Sequence, residues 1–281
     1  MDPFNRRRTA GGGFGKGRLI IAFIVALVAV AGYYGSRSFN PLTEKVQHVS
    51  ITPQQEVALG LQAAPEMAQQ FGGLHPDQKA QQLVDRVCHE LITRTSAKDT
   101  PYDYDCHVLA DERTLNAFAL PGGQVFITAG LLGKLQTEGQ LAGVLGHEIG
   151  HVVARHGAEH IAKARLTQGL TGAAVLASYD PSNPASRRNA AVAALIGQLV
   201  TMRFGRQDEL ESDRLGVRFL SEAGYDPRGM IEVMKILEQS GGGSRQPEFF
   251  STHPNPANRI TNIEAAIKER FPRGVPAGLR S

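Results

Sequence analysis

"GVLGHEIGHVVARHGAEH", residues 143–160, holds four histidines and two glutamates and reads as two opposed metal-site patterns: His147-Glu148-x-x-His151 and His156-x-x-Glu159-His160. On an α-helix, residues i and i+4 lie about 40° apart and share a face, so either pair can offer two imidazoles to one ion. His156 is nine residues past His147. At about 3.6 residues per turn that is half a turn out of phase, and one continuous helix can aim only one pair at a given metal. The first pair is set among Leu141, Val144, Leu145, Ile149, Val152 and Val153, which would bury the helix and keep a site dry. The second pair is flanked by Arg155, Glu159, Lys163 and Arg165, with Gly157 loosening the helix. It reads as a solvated bystander.

A third ligand is expected from "RQDELESDRLG", 206–216. Glu209 and Asp213 are i, i+4 on one helix face, whereas Glu211 is about 200° round from Glu209. A carboxylate that ligates zinc, with a second one holding a ligating imidazole's other nitrogen, makes a carboxylate–histidine–zinc arrangement. Gly216 allows a neighbouring backbone to come close. A plain acidic helix face is the alternative.

The order of "HEIGH" and, some sixty residues on, "ELESD" resembles the HtpX-like and CAAX-protease-like gluzincin metallopeptidases, whose pattern is H-E-x-x-H followed by E-x-x-x-D. "NAFALPGGQVFITAGLL" (116–132) is similar to that family's hairpin before the zinc helix, and "STHPNPANRI" (251–260) to its His-Pro…Arg element. The resemblance covers roughly residues 50–271. In organisation it is most similar to the periplasmic BepA and LoiP branch, without tetratricopeptide repeats and without a lipidation cysteine.

The resemblance implies one zinc per chain on His147, His151 and Glu209, with one coordination position left open. It implies Glu148 as general base, Asp213 orienting a histidine, and His253 and Arg259 as donors to an oxyanion. It further implies an edge strand, Asn116, Ala117, Phe118 and Ala119, that pairs with substrate backbone. Left to themselves, His253 reads as a loop histidine before Pro254, Arg259 as a surface helix residue and Phe118 as core. The expected activity is a metalloendopeptidase acting on unfolded or misfolded envelope proteins. The rival is a chaperone-like protein with a latent site, in which a neutral His253 fills the open position.

The net charge of +3 is carried by the leader: five cations against Asp2 within residues 1–18, a local +4, leave the rest near −1. No basic face argues for nucleic acid. Behind those arginines stands "LIIAFIVALVAVAGYYG", Leu19–Gly35, uncharged and closed by two tyrosines. The positive-inside rule and the aromatic belt then place the N-terminus in the cytoplasm and the bulk outside the inner membrane, on the periplasmic side. A signal cleaved after Ala29-Val30-Ala31 and a buried core helix are the alternatives. Cys88 and Cys106 then lie in an oxidising compartment, which permits one disulfide; two buried thiols are the other possibility.

Along the chain the sequence predicts a disordered stub (1–18), a transmembrane anchor (19–35), a linker (36–51), a protease domain (52–271) and a tail (272–281). Within the domain it predicts a helix behind a Thr52 cap, an amphipathic helix from about residue 75, a strand at "YDYDCHVLA", the 116–128 hairpin, and the zinc helix. An Ala-rich, mostly helical stretch to residue 203 follows, then the Glu209 helix ending at Gly224. The last elements are a helix from about 224, the loop "GGGSRQPEFFSTHPNP" and a final helix. The fold class is α+β: a mostly helical zincin-type domain with a small hairpin-built sheet.

Overall fold

Every residue from Gly139 to Val153 is buried, and a helix with no solvent face must be enclosed by other elements. The computed structural model describes residues 13–178, 203–240, 247–254 and 258–281. The expectations for residues 1–12 of the stub, 179–202 of the Ala-rich stretch, and 241–246 and 255–257 of the loop lie outside the described residues.

Ahead of the buried helix come α1 (Gly13–Gly35), the strands β1 (Arg37–Asn40) and β2 (Lys45–His48), and the helices α2 (Pro53–Gln70) and α3 (Gln78–Thr93). The Thr52 hydroxyl accepts from Gln55 N at 3.3 Å and the Gln55 side chain accepts from Thr52 N at 2.9 Å. This reciprocal box, with Pro53 opening the first turn, fixes where α2 starts. Next are β3 (Asp105–Leu109), β4 (Ala117–Ala119) and β5 (Gln124–Thr128), then the short α4 (Ala129–Leu132) and the buried helix itself, α5 (Glu138–Val153). The sheet order is β3-β5-β4: β4 returns antiparallel on β5 through the predicted Pro-Gly-Gly turn, and β3 lies parallel to β5 on its other side. β4 is therefore an edge strand.

α5 shares one core with Val125 and Ile127 of the sheet and with Phe219 and Leu220 of α7 (Arg206–Ala223). The approach of α5 to α7 requires glycine: a Cβ on Gly150 would stand 2.7 Å from Ser212 Oγ and 3.0 Å from Ser212 O. α7 stops where expected, at Gly224, whose φ of 85° is a left-handed cap. The remaining helices are α6 (His156–Ser178), α8 (Gly229–Ser240), α9 (Phe249–Thr252) and α10 (Arg259–Arg270).

Three expectations are corrected. α1 begins at Gly13, so the end of the expected stub is helical. Residues 36–51 do not form a plain linker: β1 and β2 pair antiparallel, and Asn40 Nδ2 donates to Val153 O at 2.8 Å while Gln47 Nε2 donates to Ala154 O. The hairpin thus satisfies carbonyls that the end of α5 leaves unpaired. Nor is 272–281 a free tail. Arg280 N donates to Gly224 O at 3.0 Å, Asp226 N donates to Arg280 O at 2.8 Å, and the Arg280 guanidinium pairs with Glu90.

Cys88 of α3 and Cys106 of β3 form a disulfide across 18 residues of chain. A loop of that size raises stability by about 3 kcal/mol in the chain-entropy account. Guanidinium unfolding of Cys88→Ala/Cys106→Ala should show a loss of roughly that size, and an unchanged midpoint would mean the bond contributes nothing to the fold.

Candidate metal centre

The two histidine pairs are not on one helix. α5 ends at Val153, Arg155 takes a left-handed φ of 57°, and α6 starts at His156. A non-glycine residue in that region is strained, and here it is held from outside. Arg155 Nε donates to Glu56 Oε1 at 2.9 Å, Nη2 donates to the same oxygen, and Nη2 also donates to Ile51 O at 3.1 Å. His156 and His160 stay outside the donor cluster, as expected of the second pair, but the reversal corrects the solvated reading of His156. It is 1% exposed, and its Nδ1 stands 2.9 Å from His151 Nδ1. Behind it are Glu211 at 3.4 Å and, 2.8 Å from Glu211, Lys45 of the hairpin. His160 faces away, on Asp208 at 2.9 Å.

His147, His151, Glu209 and His253 each bring one donor atom into a single buried cluster whose atoms all lie within 4.8 Å of one another. His147 Nε2 is 3.1 Å from His151 Nε2, 3.3 Å from His253 Nδ1 and 3.5 Å from Glu209 Oε2. Glu209 Oε1 is 3.4 Å from His151 Nε2 and 3.0 Å from His253 Nδ1. With zinc–nitrogen bonds of about 2.0–2.1 Å, tetrahedral ligands stand roughly 3.3 Å apart, so these separations match donors around one ion. Among the described residues, Oε1 and Oε2 of Glu148 and His253 Nε2 have no hydrogen-bond partner, the nearest approach being 3.5 Å between Glu148 Oε1 and His253 Nε2, and buried polar groups rarely stay unpaired. Imidazole nitrogens with one carboxylate suit zinc. The residues fit a zinc ion.

Around the cluster, Asp213 Oδ1 stands 2.9 Å from His147 Nδ1, which turns Nε2 inward. Arg259 forks onto Asp213 with two bonds of 2.9 Å and places Nη1 3.0 Å from Glu209 Oε2. Ser212 Oγ donates to His147 O, tying α7 to the ligand-bearing turn of α5. Phe204 stacks on His151 with centroids 3.9 Å apart, and Phe249 stacks on His253 at 4.5 Å. Both rings exclude water from the donors.

Electrostatics follows from burial. Desolvation raises the Glu148 pKa, with His253 and His147 opposing. Burial and Arg259 both disfavour a charged His147, but Asp213 and Glu209 outweigh them and lift it to about 9. Burial holds His151 well below the ordinary imidazole range. Burial also works against an ionised Glu209, yet His253, His147 and His151 keep it well below the usual carboxylate range. A histidine that ligates a metal must be neutral, so His147 would hold an ion only with its inward nitrogen unprotonated.

The structure thus brings His147, Glu148, His151, Glu209, Asp213, His253 and Arg259 together, each 2% exposed or less. Arg259 is engaged by carboxylates, and His253 sits among the ligand atoms. A cleft lined by Asn116, Phe118, Ala119, Leu120 and Phe204 runs along β4 to His253. Sequence reasoning missed Phe204, Ser212 and the His156–Glu211–Lys45 chain. Only the five-residue step from His151 to His156 hinted at the last, and its meaning depends on the reversal at Arg155.

A model described as peptidase family M48 matches residues 78–267, more than half of the chain. The chain is 32% identical over 202 residues to the beta-barrel assembly-enhancing protease of Escherichia coli (strain K12), covering 68% of this chain and 39% of that protein. It is 31% identical over 252 residues to the mitochondrial metalloendopeptidase OMA1 of Schizosaccharomyces pombe, covering 87% of this chain and 71% of the relative. The chain therefore spans about two fifths of the length of the beta-barrel assembly-enhancing proteases it matches.

Zinc retention under graded chelator separates the two nearby glutamates. Glu209→Gln, His147→Ala and His151→Ala should each lose the metal, Asp213→Asn should weaken it about 10- to 100-fold, and Glu211→Gln should stay near wild type. Loss of metal from Glu211→Gln with retention in Glu209→Gln would reject this ligand set.

Proposed function

We propose, from the premise that the chain belongs to peptidase family M48, that it is a zinc-dependent metalloendopeptidase cleaving unfolded or misfolded envelope proteins. The observation that carries this is the convergence of His147 Nε2, His151 Nε2 and Glu209 at tetrahedral separations beside a buried glutamate, Glu148, whose Oε1 stands 3.5 Å from His253 Nε2 and whose two oxygens accept no hydrogen bond among the described residues.

A bound zinc supplies Lewis acidity toward water and the scissile carbonyl. Glu148 accepts a proton from the attacking water and passes it to the leaving amine; its raised pKa suits that return step. Asp213 fixes the His147 tautomer, and Arg259 holds Asp213 and Glu209 in place, a positioning task rather than an oxyanion contact. Substrate backbone adds to the free edge of β4, which supports tolerance of many sequences, since main-chain hydrogen bonds supply the affinity. Side chains of Phe118, Leu120 and Phe204 give the cleft an apolar wall suited to stretches that a folded protein would bury.

α1 holds one apolar run, Gly17–Gly35, long enough to cross a membrane. The arginines ahead of it and the disulfide behind it support a catalytic body on the periplasmic side of the inner membrane. Glu148→Gln should keep its zinc and lose casein hydrolysis. In wild type the acid limb of kcat/KM should lie above the ordinary glutamate value of 4.5, because Glu148 must be ionised to act. Undiminished hydrolysis by Glu148→Gln would remove the general base from the reading.

The place of His253 favours a second reading, a latent resting site. Its Nδ1 lies with the ligand atoms, 3.0 Å from Glu209 and 3.3 Å from His147 Nε2, where it can act as a fourth ligand. His253→Ala decides between the two. A latent site predicts faster casein cleavage by the variant, whereas loss of an oxyanion donor predicts a fall of about 10²- to 10³-fold in kcat.

A further inference from the structure

α1 does not stand by itself. Ala22, Val25, Ala26, Ala29 and Val30 form a buried or half-buried face, and that face lies against α6. Gly169 of α6 meets it so closely that an added Cβ would stand 2.5 Å from Ala29 Cβ. Ala162, Leu166, Gly169 and Ala173, at steps of four, three and four, make the matching stripe on α6.

The pair runs antiparallel. His48 Nδ1 bonds Tyr33 O at 2.8 Å, and His48 N donates to Glu159 Oε1 at 3.2 Å. The end of α1 is therefore level with the first turns of α6, and Ala29 with Gly169. Arg165 bonds Ser50 O and Oγ at 3.1 Å each, near the end where α1 leaves its apolar run. From Leu166 to Ser178 no residue of α6 carries a charge.

The far side of α1 leaves Leu19, Ile20, Phe23, Ile24, Leu27 and Val28 between 50% and 68% exposed. A continuous apolar face of that kind does not persist in water. If acyl chains cover it, whatever packs along the same stretch of α1 lies at the same depth.

We infer that α6 from Leu166 to Ser178 enters the bilayer beside α1 as a second lipid-contacting segment. The inference rests on the anchor reading of α1 given under the proposed function. Thirteen residues of helix reach roughly 20 Å, about two thirds of a hydrocarbon core. Thr167, Gln168 and Thr171 make the stretch too polar to insert unaided, so it depends on α1. Thr167 Oγ1 bonds back to Lys163 O at 3.0 Å, which satisfies one of those groups. The small residues at Gly169 and Ala29 permit the close backbone approach by which helices associate in lipid. His156, the first residue of α6, touches His151, and ten residues of helix, about 15 Å, separate it from Leu166. The metal centre is thereby held just above the membrane surface.

The chain contains no tryptophan, so one introduced indole is a specific probe. Full-length Leu170→Trp, Leu27→Trp and Leu74→Trp, at sites 42%, 55% and 60% exposed, are reconstituted into phosphatidylethanolamine–phosphatidylglycerol vesicles with brominated acyl chains. Leu27 reports α1, and Leu74 is an exposed reference on the catalytic body. Leu170→Trp is expected to be quenched at least half as strongly as Leu27→Trp. Quenching of Leu27→Trp with Leu170→Trp no more quenched than Leu74→Trp overturns the inference and leaves the anchor standing. If neither is quenched, the anchor fails and the inference with it. Should Leu170→Trp fail to retain zinc, Thr171→Trp, also exposed on α6, decides in its place.

Discussion

Three carboxylates, Glu148, Glu209 and Asp213, are buried within one dry pocket, and the rest of the structure depends on making that tolerable. Isolated buried charges are prohibitively unfavourable. Arg259 offsets part of the load by bridging Asp213 and Glu209, and the imidazoles offset more. A divalent cation completes the balance. The fold can be derived from this demand. α5 must be enclosed to dry the site, and α7 must approach within hydrogen-bond distance of α5, for which Gly150 clears space. α10 must begin where its first side chain can reach both carboxylates.

Much of this centre was legible in the sequence because helix phase is a local property. The i, i+4 spacing of His147 and His151 put two nitrogens on one face, and the same phase singled out Glu209 over Glu211. Alternation around the Pro-Gly-Gly turn marked the hairpin, whose free strand lines the cleft. Gly224 marked the end of α7, as a residue able to take a left-handed cap.

What stayed hidden depends on contacts distant in sequence. Nothing local in Ala154-Arg155 signals a break, since an arginine in a left-handed conformation has no propensity to reveal it. The break exists because Glu56, 99 residues earlier, clasps the guanidinium. Without it His156 falls on the wrong face, which is how the sequence misled. The hairpin at 37–48 escaped because strands of four residues carry too little pattern to distinguish from a linker. The approach of His253 to the ligands was equally invisible, because α9 has only four residues and is placed by bonds to distant parts of the chain, Phe249 N donating to Leu115 O and Phe204 N to Thr252 O. The β3–β5 pairing is parallel and needs a long crossover, so neighbouring residues do not announce it.

The interruption at Arg155 has a mechanical meaning. An unbroken helix from Glu138 to Ser178 would act as a stiff lever, and any tilt at its far end would rotate the imidazoles at its near end by the same angle. A joint in that lever isolates them. Bending or sliding of α6 is absorbed where Arg155 is clasped by Glu56, while β1 and β2 grip the last carbonyls of α5 and keep it from following. The coordination geometry is thus insulated from strain arriving along α6, and His156, resting on His151 just past the joint, is the first residue through which such strain would be felt.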